Sequence, residues 1–223
     1  MAEERPGTTP HPPPTAEFGS VEPGGPAHAY EPRDGMAVTK FSVGPFDNNV
    51  YIVRCEQTNK ALIIDGATDP ERILTEAKTT DVVAIVQTHA HPDHVQALEG
   101  LVAALKIPVY AHTGEGRLPV RSEPLGDGSV VRVGALEISV WHTPGHTRGS
   151  LSFVAPGFLF SGDTLFPGGP GRTTSRPYFR QIMESVERMV ALGDDTQVCP
   201  GHGLDTTIGR ERQYVETWRA RGW

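Results

Sequence analysis

One short segment of the chain concentrates side chains that bind metal ions. Residues 88–94 read Thr-His-Ala-His-Pro-Asp-His, so three imidazoles and one carboxylate fall within six consecutive residues. The segment directly follows the apolar run 82–86, which is typical of a buried strand. Imidazole nitrogens and carboxylate oxygens are ligands of zinc and neighbouring divalent metals. The segment therefore predicts a metal site at the end of a strand.

The spacing within this segment predicts two groups of side chains. His89 and His91 are two residues apart, so on an extended backbone they point the same way. Pro92 disfavours a helical conformation at His91 and forces a turn. The turn redirects Asp93 and His94 to a second position, and one loop then serves two metals. The alternative, a polar loop with scattered histidines, is disfavoured by their density at a strand end.

Three more candidates occupy similar places further along the chain. His146 follows a strand-like run and the turn signal Pro144-Gly145, Asp163 follows an apolar run and a glycine, and His202 lies between two glycines. Each has an ordinary interpretation, as a turn-forming aspartate or a solvated loop histidine. Taken together, they place His or Asp repeatedly at the ends of apolar strands. Such side chains converge at one edge of a sheet, where metal sites can be built.

With these motifs the sequence resembles the metallo-β-lactamase superfamily, and within it the glyoxalase II-like (hydroxyacylglutathione hydrolase-like) hydrolases. The matching segments appear in the family's order, from roughly residue 38 to the C-terminus: 88–94, 143–147, 161–166 with 168–172, and 200–203. The resemblance implies a mixed α/β (α+β) fold, a four-layer αββα sandwich.

The resemblance also implies a metal-binding set of seven residues. The first ion takes His89, His91 and His146, the second takes Asp93, His94 and His202, and Asp163 bridges them. The implied cofactors are two divalent metal ions, with zinc as the leading metal and iron or manganese as alternatives.

The implied chemistry is hydrolysis of S-acyl thioesters by a metal-bound hydroxide. A metal pair lowers the pKa of bound water and polarises a carbonyl oxygen. We predict that Asp163 and Asp93 are catalytic: Asp163 holds the two ions at the separation that lets one hydroxide touch both, and Asp93 orients the nucleophile. Arg172, after a glycine-rich loop, is predicted to meet an anionic part of the substrate. Its alternative role is a structural salt bridge.

Departures from the family pattern leave several functions open. Glyoxalase II proper carries a C-terminal helical domain, whereas only residues 203–223 follow His202 here, so the chain resembles a single-domain hydrolase without strong glutathione specificity. True β-lactamases lack a bridging aspartate at the position of Asp163, which counts against that activity. Hydrolysis of a lactone or phosphoester on the same site, and persulfide oxygenation by a single iron, remain alternatives. A non-catalytic binding role is disfavoured by the complete set of seven residues.

Composition agrees with an enzyme acting on a small molecule. The 223 residues allow one domain plus a tail, and no apolar run approaches the length of a membrane span. The net charge of −7 provides no basic surface for nucleic acid. We therefore expect a cytoplasmic protein with a small-molecule substrate, without nucleic-acid or membrane partners. The sequence leaves the oligomeric state undetermined.

The first 35 residues differ from the rest of the chain. Residues 1–35 contain eight prolines and five glycines, a composition that cannot bury enough apolar surface to order the backbone. Glu3 and Glu4 occupy the place of a basic signal-peptide region, and no apolar region follows. The sequence therefore predicts a disordered tail over residues 1–35 and one folded domain over 36–223.

The folded part alternates strand-like and helix-like runs. The predicted strands are 38–43, 49–54, 61–64, 82–87, 108–111, 129–133, 136–141, 151–154, 158–161 and 197–199, and the predicted helices are 70–78, 94–105, 176–192 and 209–219. The first half of the sandwich is expected over 38–154 and the second from 158 onward.

A few other polar residues need an interpretation. His112 and His142 lie outside the pattern of metal-binding residues and are expected to have structural, hydrogen-bonded roles. Asp65 is expected either to support a metal-binding histidine or simply to form a turn. Cys55 and Cys199 do not suggest a disulfide framework, and Cys199 is expected to be a buried strand residue.

Overall fold

The computed structural model describes residues 21–222 and shows two β-sheets packed face to face. The first part of the chain forms the following elements: β1 (His28–Ala29), β2 (Met36–Val43), β3 (Asn48–Cys55), β4 (Lys60–Ile64), α1 (Pro70–Ala77), β5 (Asp81–Val86), α2 (Pro92–Val95), α3 (Leu98–Leu105), β6 (Val109–His112) and β7 (Glu123–Leu125). The first sheet has the order β1-β2-β3-β4-β5-β6-β7, antiparallel as far as β4 and parallel from β4 to β7.

The second part of the chain supplies the other sheet. Its elements are β8 (Val130–Val133), β9 (Leu136–His142), β10 (Leu151–Ala155), β11 (Phe158–Gly162), β12 (Leu165–Phe166), β13 (Gly169–Pro170), α4 (Arg176–Met189), β14 (Gln197–Pro200), β15 (Thr206–Thr207), α5 (Ile208–Arg212) and α6 (Val215–Arg221). The order in this sheet is β15-β14-β11-β10-β9-β8, and β12 and β13 form a separate small hairpin.

Side-chain alternation along the strands builds the layers. In β3, Tyr51 and Val53 join the apolar cluster between the two sheets, whereas Val50 and Ile52 join the cluster beneath α1 and α3. In β11, Phe158 and Phe160 face the cluster between the sheets, whereas Leu159 faces the outer side and packs under α4 and α6. Both sheets are therefore apolar on both faces, which requires a helical layer on each outer side. The predicted four-layer αββα sandwich is confirmed.

Two predicted boundaries are wrong. The second sheet starts at β8, so the halves divide between β7 and β8 rather than after residue 154, because β10 pairs with β9 and β11. The helix predicted over 94–105 is two helices, α2 and α3. The Ala97 N–H donates to the carbonyls of Gly66 and Ala67, which breaks the helical ladder at that point.

The predicted tail also needs a correction. Residues 1–20 lie outside the described residues, but within residues 21–35 the backbone of β1 pairs with the edge of β2. The hydroxyl of Tyr30 donates a hydrogen bond to the buried carboxylate of Asp205, and the Tyr30 ring meets the Phe158 ring edge-on at 5.4 Å. The folded part thus begins before residue 36. The prediction missed this because composition alone does not show that β2 offers an open edge to pair with.

Among residues 21–222, no helix has both the length and the apolarity needed to cross a bilayer.

We expect Tyr30→Phe to lower the free energy of unfolding by about 1–3 kcal/mol, because it removes a donor from the fully buried Asp205. Thermal or urea unfolding measures the change. Tyr178→Phe is the matched control, since its hydroxyl bonds an exposed Arg148 and should contribute little. Equal, small effects of the two variants would show that residues near Tyr30 do not contribute to the core.

Candidate metal centre

The structure brings together all seven predicted metal-binding residues, each of which follows the end of a strand. His89, His91, Asp93 and His94 follow β5, His146 follows β9, Asp163 follows β11, and His202 follows β14. The parallel pairing of β11 with β14 places Gly162 opposite Pro200, so these two strands end at the same edge. The site therefore lies where one edge of the first sheet meets one edge of the second.

Three histidines form a first group. The Nδ1 atom of His91 is 3.1 Å from Nε2 of His89 and 2.9 Å from Nε2 of His146. The three ring nitrogens lie within 4.8 Å of one another. Three converging imidazole nitrogens are a donor set that suits zinc or iron.

Asp93, His94 and His202 form a second group. The Nε2 atoms of His94 and His202 are 3.0 Å apart. One oxygen of Asp93, Oδ2, lies 3.6 Å from Nε2 of His94 and 3.4 Å from Nε2 of His202. This group offers two nitrogens and one carboxylate to a second ion.

Asp163 lies between the two groups. Its Oδ2 atom is 3.3 Å from Nε2 of His146 and 3.5 Å from Nε2 of His202, and its Oδ1 atom is 3.7 Å from Nε2 of His94. Oδ1 is buried and has no hydrogen-bond partner among residues 21–222. A buried carboxylate oxygen without a donor is costly unless a cation neutralises it. The close approach also requires glycine at Gly201, because a Cβ atom there would lie 2.2 Å from Oδ1.

The outer hydrogen bonds of the histidines decide which ring nitrogens face the site. Nδ1 of His94 donates to Oδ2 of Asp65 at 2.8 Å, and Nδ1 of His202 donates to the carbonyl of Phe46 at 2.6 Å. Each outer nitrogen therefore carries a proton, and each ring in its neutral form directs a lone pair inward. Two lone pairs 3.0 Å apart cannot bond each other, so a cation between them fits this arrangement.

The first group is held in the same way. Nδ1 of His146 donates to the carbonyl of Arg172 at 2.8 Å, and Nδ1 of His89 lies 3.0 Å from the hydroxyl of Thr88. The Thr88 hydroxyl in turn donates to Oδ2 of Asp65 at 2.8 Å. Asp65 thus supports residues of both groups, which is one of the two interpretations that its position after β4 left open.

The charges of the site are strongly coupled. Burial alone would lower the pKa of His202, but the hydrogen bond and negative charge of Asp163 outweigh it and raise that pKa to about 9. Burial alone would raise the pKa of Asp163, yet the hydrogen bond with His202 and the nearby His94 hold it well below its usual range. These shifts place a proton where the inward lone pairs meet, which is also where a metal cation would bind.

Sequence reasoning missed residues that hold the site from the β2–β3 turn. The side-chain amide of Asn48 donates to Oδ2 of Asp93 at 2.9 Å, and Phe46 supplies the carbonyl that accepts from His202. Phe46 is 66% exposed, so its ring stands at the mouth of the site. An exposed phenylalanine next to a tight turn is a weak signal in the sequence, and nothing local connects it to His202.

The structure also places the other polar residues that the sequence analysis considered. The rings of His112 and His142 stack at 4.2 Å, and neither belongs to the metal-binding groups found among the described residues. Cys199 is buried in β14. Arg172 lines the cavity at the site. Its side chain pairs with no carboxylate in the described part of the chain, which argues against the salt-bridge interpretation.

An open cavity of 560 Å³ gives access to the centre. Its walls combine metal-binding candidates with two aromatic rings, one arginine and the glycine-rich loop: Phe46, Asp93, His146, Asp163, Phe166, Pro170, Gly171, Arg172 and His202. A cavity of this size accommodates an organic molecule with one end at the two groups and the rest against the rings.

The chain belongs to the metallo-β-lactamase superfamily, whose sequence profile matches residues 43–202. Superfamily members are generally hydrolases and typically bind divalent metals. A hydroxyacylglutathione hydrolase of Chromohalobacter salexigens is 35% identical over 160 residues, which cover 70% of this chain and 62% of that protein.

Two solved structures share the fold over nearly their whole length. The B3 metallo-β-lactamase BLEG-1 has a TM-score of 0.71 and 31% identity, over 79% of this chain and 96% of that one. The protein TTHA1623, solved in a di-iron-bound form, has a TM-score of 0.68 and 32% identity, over 77% of this chain and 96% of that one.

We expect Asp163→Ala to lose metal and nearly all turnover, and Asp163→Asn to keep some metal with low activity, because a bridging carboxylate neutralises two cations at once. Elemental analysis of the purified wild type should give about two ions per chain. Asp195→Ala, at an exposed aspartate, is the control. An alanine variant with full metal content and a near-normal rate would make Asp163 a turn residue only.

We also expect metal binding to release protons. Since the pKa of His202 is raised to about 9, this ring is protonated at neutral pH and must lose its proton to bind a metal. Calorimetric zinc titration of chelator-treated protein, in buffers that differ in ionisation enthalpy, should show release of about one proton per chain near pH 7. Zinc affinity should weaken as the pH falls. An affinity that is unchanged between mildly acidic and mildly alkaline buffer contradicts this expectation.

Proposed function

We propose that this protein is a metal-dependent hydrolase that cleaves S-acyl thioesters at a dinuclear centre. The observation that carries the proposal is the pair of converging groups on either side of Asp163, whose buried Oδ1 has no partner among residues 21–222. A single tetrahedral site would need only four donors, whereas seven side chains converge here.

The donor set supports an assignment of residues to the two proposed ions. His89, His91 and His146 would hold the first, Asp93, His94 and His202 the second, and Asp163 both. When bound, the ions supply an activated water as the nucleophile and polarise the carbonyl of the substrate. Mixed nitrogen and oxygen donors suit zinc, with iron or manganese as alternatives. The di-iron-bound form of TTHA1623, at 32% identity, supports the two-ion arrangement.

The carboxylate of Asp93 is suited to orient the attacking water. Burial raises its pKa, but the hydrogen bond from Asn48 and the neighbouring His94 outweigh this and lower the pKa below its ordinary value. Asp93 therefore stays ionised at neutral pH, and Asn48 engages one of its oxygens, Oδ2. The carboxylate borders the open cavity, where it can accept a hydrogen bond from water.

The cavity walls indicate how a thioester is bound. The rings of Phe46 and Phe166 provide apolar surface on the open side. The guanidinium of Arg172, which pairs with no carboxylate among residues 21–222, is suited to a bidentate contact with a carboxylate of the substrate. We assign the acyl carbonyl to the end near Asp163 and an anionic group of the substrate to Arg172.

Similarity to a hydroxyacylglutathione hydrolase supports 2-hydroxyacyl thioesters as the substrate class. Apart from the metal-binding candidates, the cavity is lined by Phe46, Phe166, Pro170, Gly171 and Arg172. With so few contacts for a remote thiol carrier, little binding energy from it can lower the reaction barrier. We therefore propose weak discrimination for the thiol.

The alternatives use the same residues differently. A lactone or phosphoester hydrolase would keep both ions and change only the cavity contacts. A persulfide dioxygenase with one iron would need only one of the two groups of donors. We propose two ions because both groups converge on Asp163.

Assay of the metal-loaded protein should show cleavage of lactoyl thioesters of several thiols at similar kcat/KM. The comparison panel is a lactone, a β-lactam, a phosphodiester and glutathione persulfide, each followed by its own product. Oxygen consumption with the persulfide and no thioester cleavage would overturn the assignment. Cleavage of the lactone alone, or of the β-lactam alone, would keep the metal centre and change the reaction.

A further inference from the structure

Glu115 lies in the loop after β6, outside the seven metal-binding candidates, yet its carboxylate reaches two of their loops. Its Oε2 atom accepts a hydrogen bond from the Ala90 N–H at 2.7 Å. Its Oε1 atom accepts one from the Gly149 N–H at 2.9 Å and a short one from the Thr147 hydroxyl. All three donors thus belong to the loops that follow β5 and β9.

The three donors lie next to the histidines of the first group. Ala90 lies between His89 and His91, and Thr147 directly follows His146. The same three histidines make up the first group, in which Nδ1 of His91 and Nε2 of His146 are 2.9 Å apart. The Glu115 carboxylate bonds to both loops and therefore joins them. The separation of these loops sets the distance between His91 and His146. Bonds from backbone N–H groups to a carboxylate are among the stronger hydrogen bonds.

The loop that carries Glu115 is itself anchored. Nδ1 of His112 accepts from the Gly114 N–H at 2.9 Å, and the His112 ring stacks on His142 at 4.2 Å. His112 ends β6 in the first sheet and His142 ends β9 in the second, so the stack fixes the loop to both sheets. Gly149 permits the approach, because a Cβ atom there would lie 2.9 Å from Oε1 of Glu115.

We infer that Glu115 is a positioning residue for the first metal ion. It holds the β5 and β9 loops at the spacing in which His89, His91 and His146 bind one cation. The second group is held by other contacts, from Asp65 to His94 and from Asn48 to Asp93. The inference rests on the proposed metal centre and adds a prediction that the centre alone does not make: loss of the Glu115 carboxylate weakens binding of the first ion and not of the second.

The test compares Glu115→Ala and Glu115→Gln with the control Glu123→Gln, an exposed glutamate at the end of the same loop, in the full chain. Competition with a chromophoric chelator measures the dissociation constants of two zinc ions, and the absorption spectrum of the cobalt-substituted protein reports the geometry at each site. We expect Glu115→Ala to raise the dissociation constant of the first zinc ion about 10- to 100-fold and to leave that of the second ion unchanged. Glu115→Gln keeps one acceptor oxygen but presents an NH₂ group to a donor, so its effect should be smaller and in the same direction.

Several outcomes would overturn the inference. If Glu115→Ala binds both ions with wild-type affinity, or loses affinity for both ions equally, Glu115 does not specifically position the first group. If the alanine variant fails to fold, as judged by circular dichroism, the glutamine variant decides by the same criterion. No step requires turnover, so a protein that binds two ions but cleaves no thioester refutes the proposed reaction and leaves this inference standing.

Discussion

The structure depends on one electrostatic constraint: five imidazoles and two carboxylates turn their electron-rich atoms toward a common centre. His94 and His202 illustrate it, because their inward nitrogens are 3.0 Å apart while their outer nitrogens are occupied by Asp65 and the Phe46 carbonyl. Such an arrangement is stable only with positive charge between the atoms, either a proton or a metal ion. The surrounding hydrogen bonds hold the rings in place against their mutual repulsion, and this explains why so many backbone carbonyls and carboxylates surround the site.

The two sheets share the task of building the centre, so the core between them fixes its dimensions. Tyr51 of β3 shows the connection: its ring meets Phe160 of β11 at 5.2 Å in the core, and its hydroxyl donates to the carbonyl of Pro200 at 2.7 Å. Asn49 of the same strand donates to Pro200 and to Gly203, on either side of His202. The position of β3 therefore fixes the loop that carries His202. Because the two sheets are closely packed, a shift between them would change the distances between atoms of the site.

A buried ion pair holds the same loop from below. Lys40 and Asp205 are both 0% exposed; the Lys40 ammonium contacts the Asp205 carboxylate at 2.7 Å and the Gly203 carbonyl at 2.6 Å. Burial raises the pKa of Asp205, and the bonds from Lys40 and Tyr30 counter that effect. Buried pairs contribute little net stability because desolvation offsets their attraction. Their directional bonds nevertheless fix the backbone next to His202, so the pair contributes to the geometry of the site more than to the stability of the fold.

The sequence by itself determined the kinds of candidate metal-binding side chains and their places at strand ends, because local periodicity and turn residues encode these features. The pattern of strands and helices left several α/β arrangements open, and the resemblance to a family selected the two-sheet sandwich. Asp65 was a candidate as an aspartate at the end of an apolar run, but the sequence left a simple turn equally open. Only the tertiary structure decided that β1 covers the edge of β2, that His112 stacks on His142, and that Asn48 and Glu115 bond to the loop that carries Asp93 and Ala90. These contacts join residues far apart in the chain, and they exist only after the sheets have packed. No local pattern can specify a partner whose position depends on how the whole core closes.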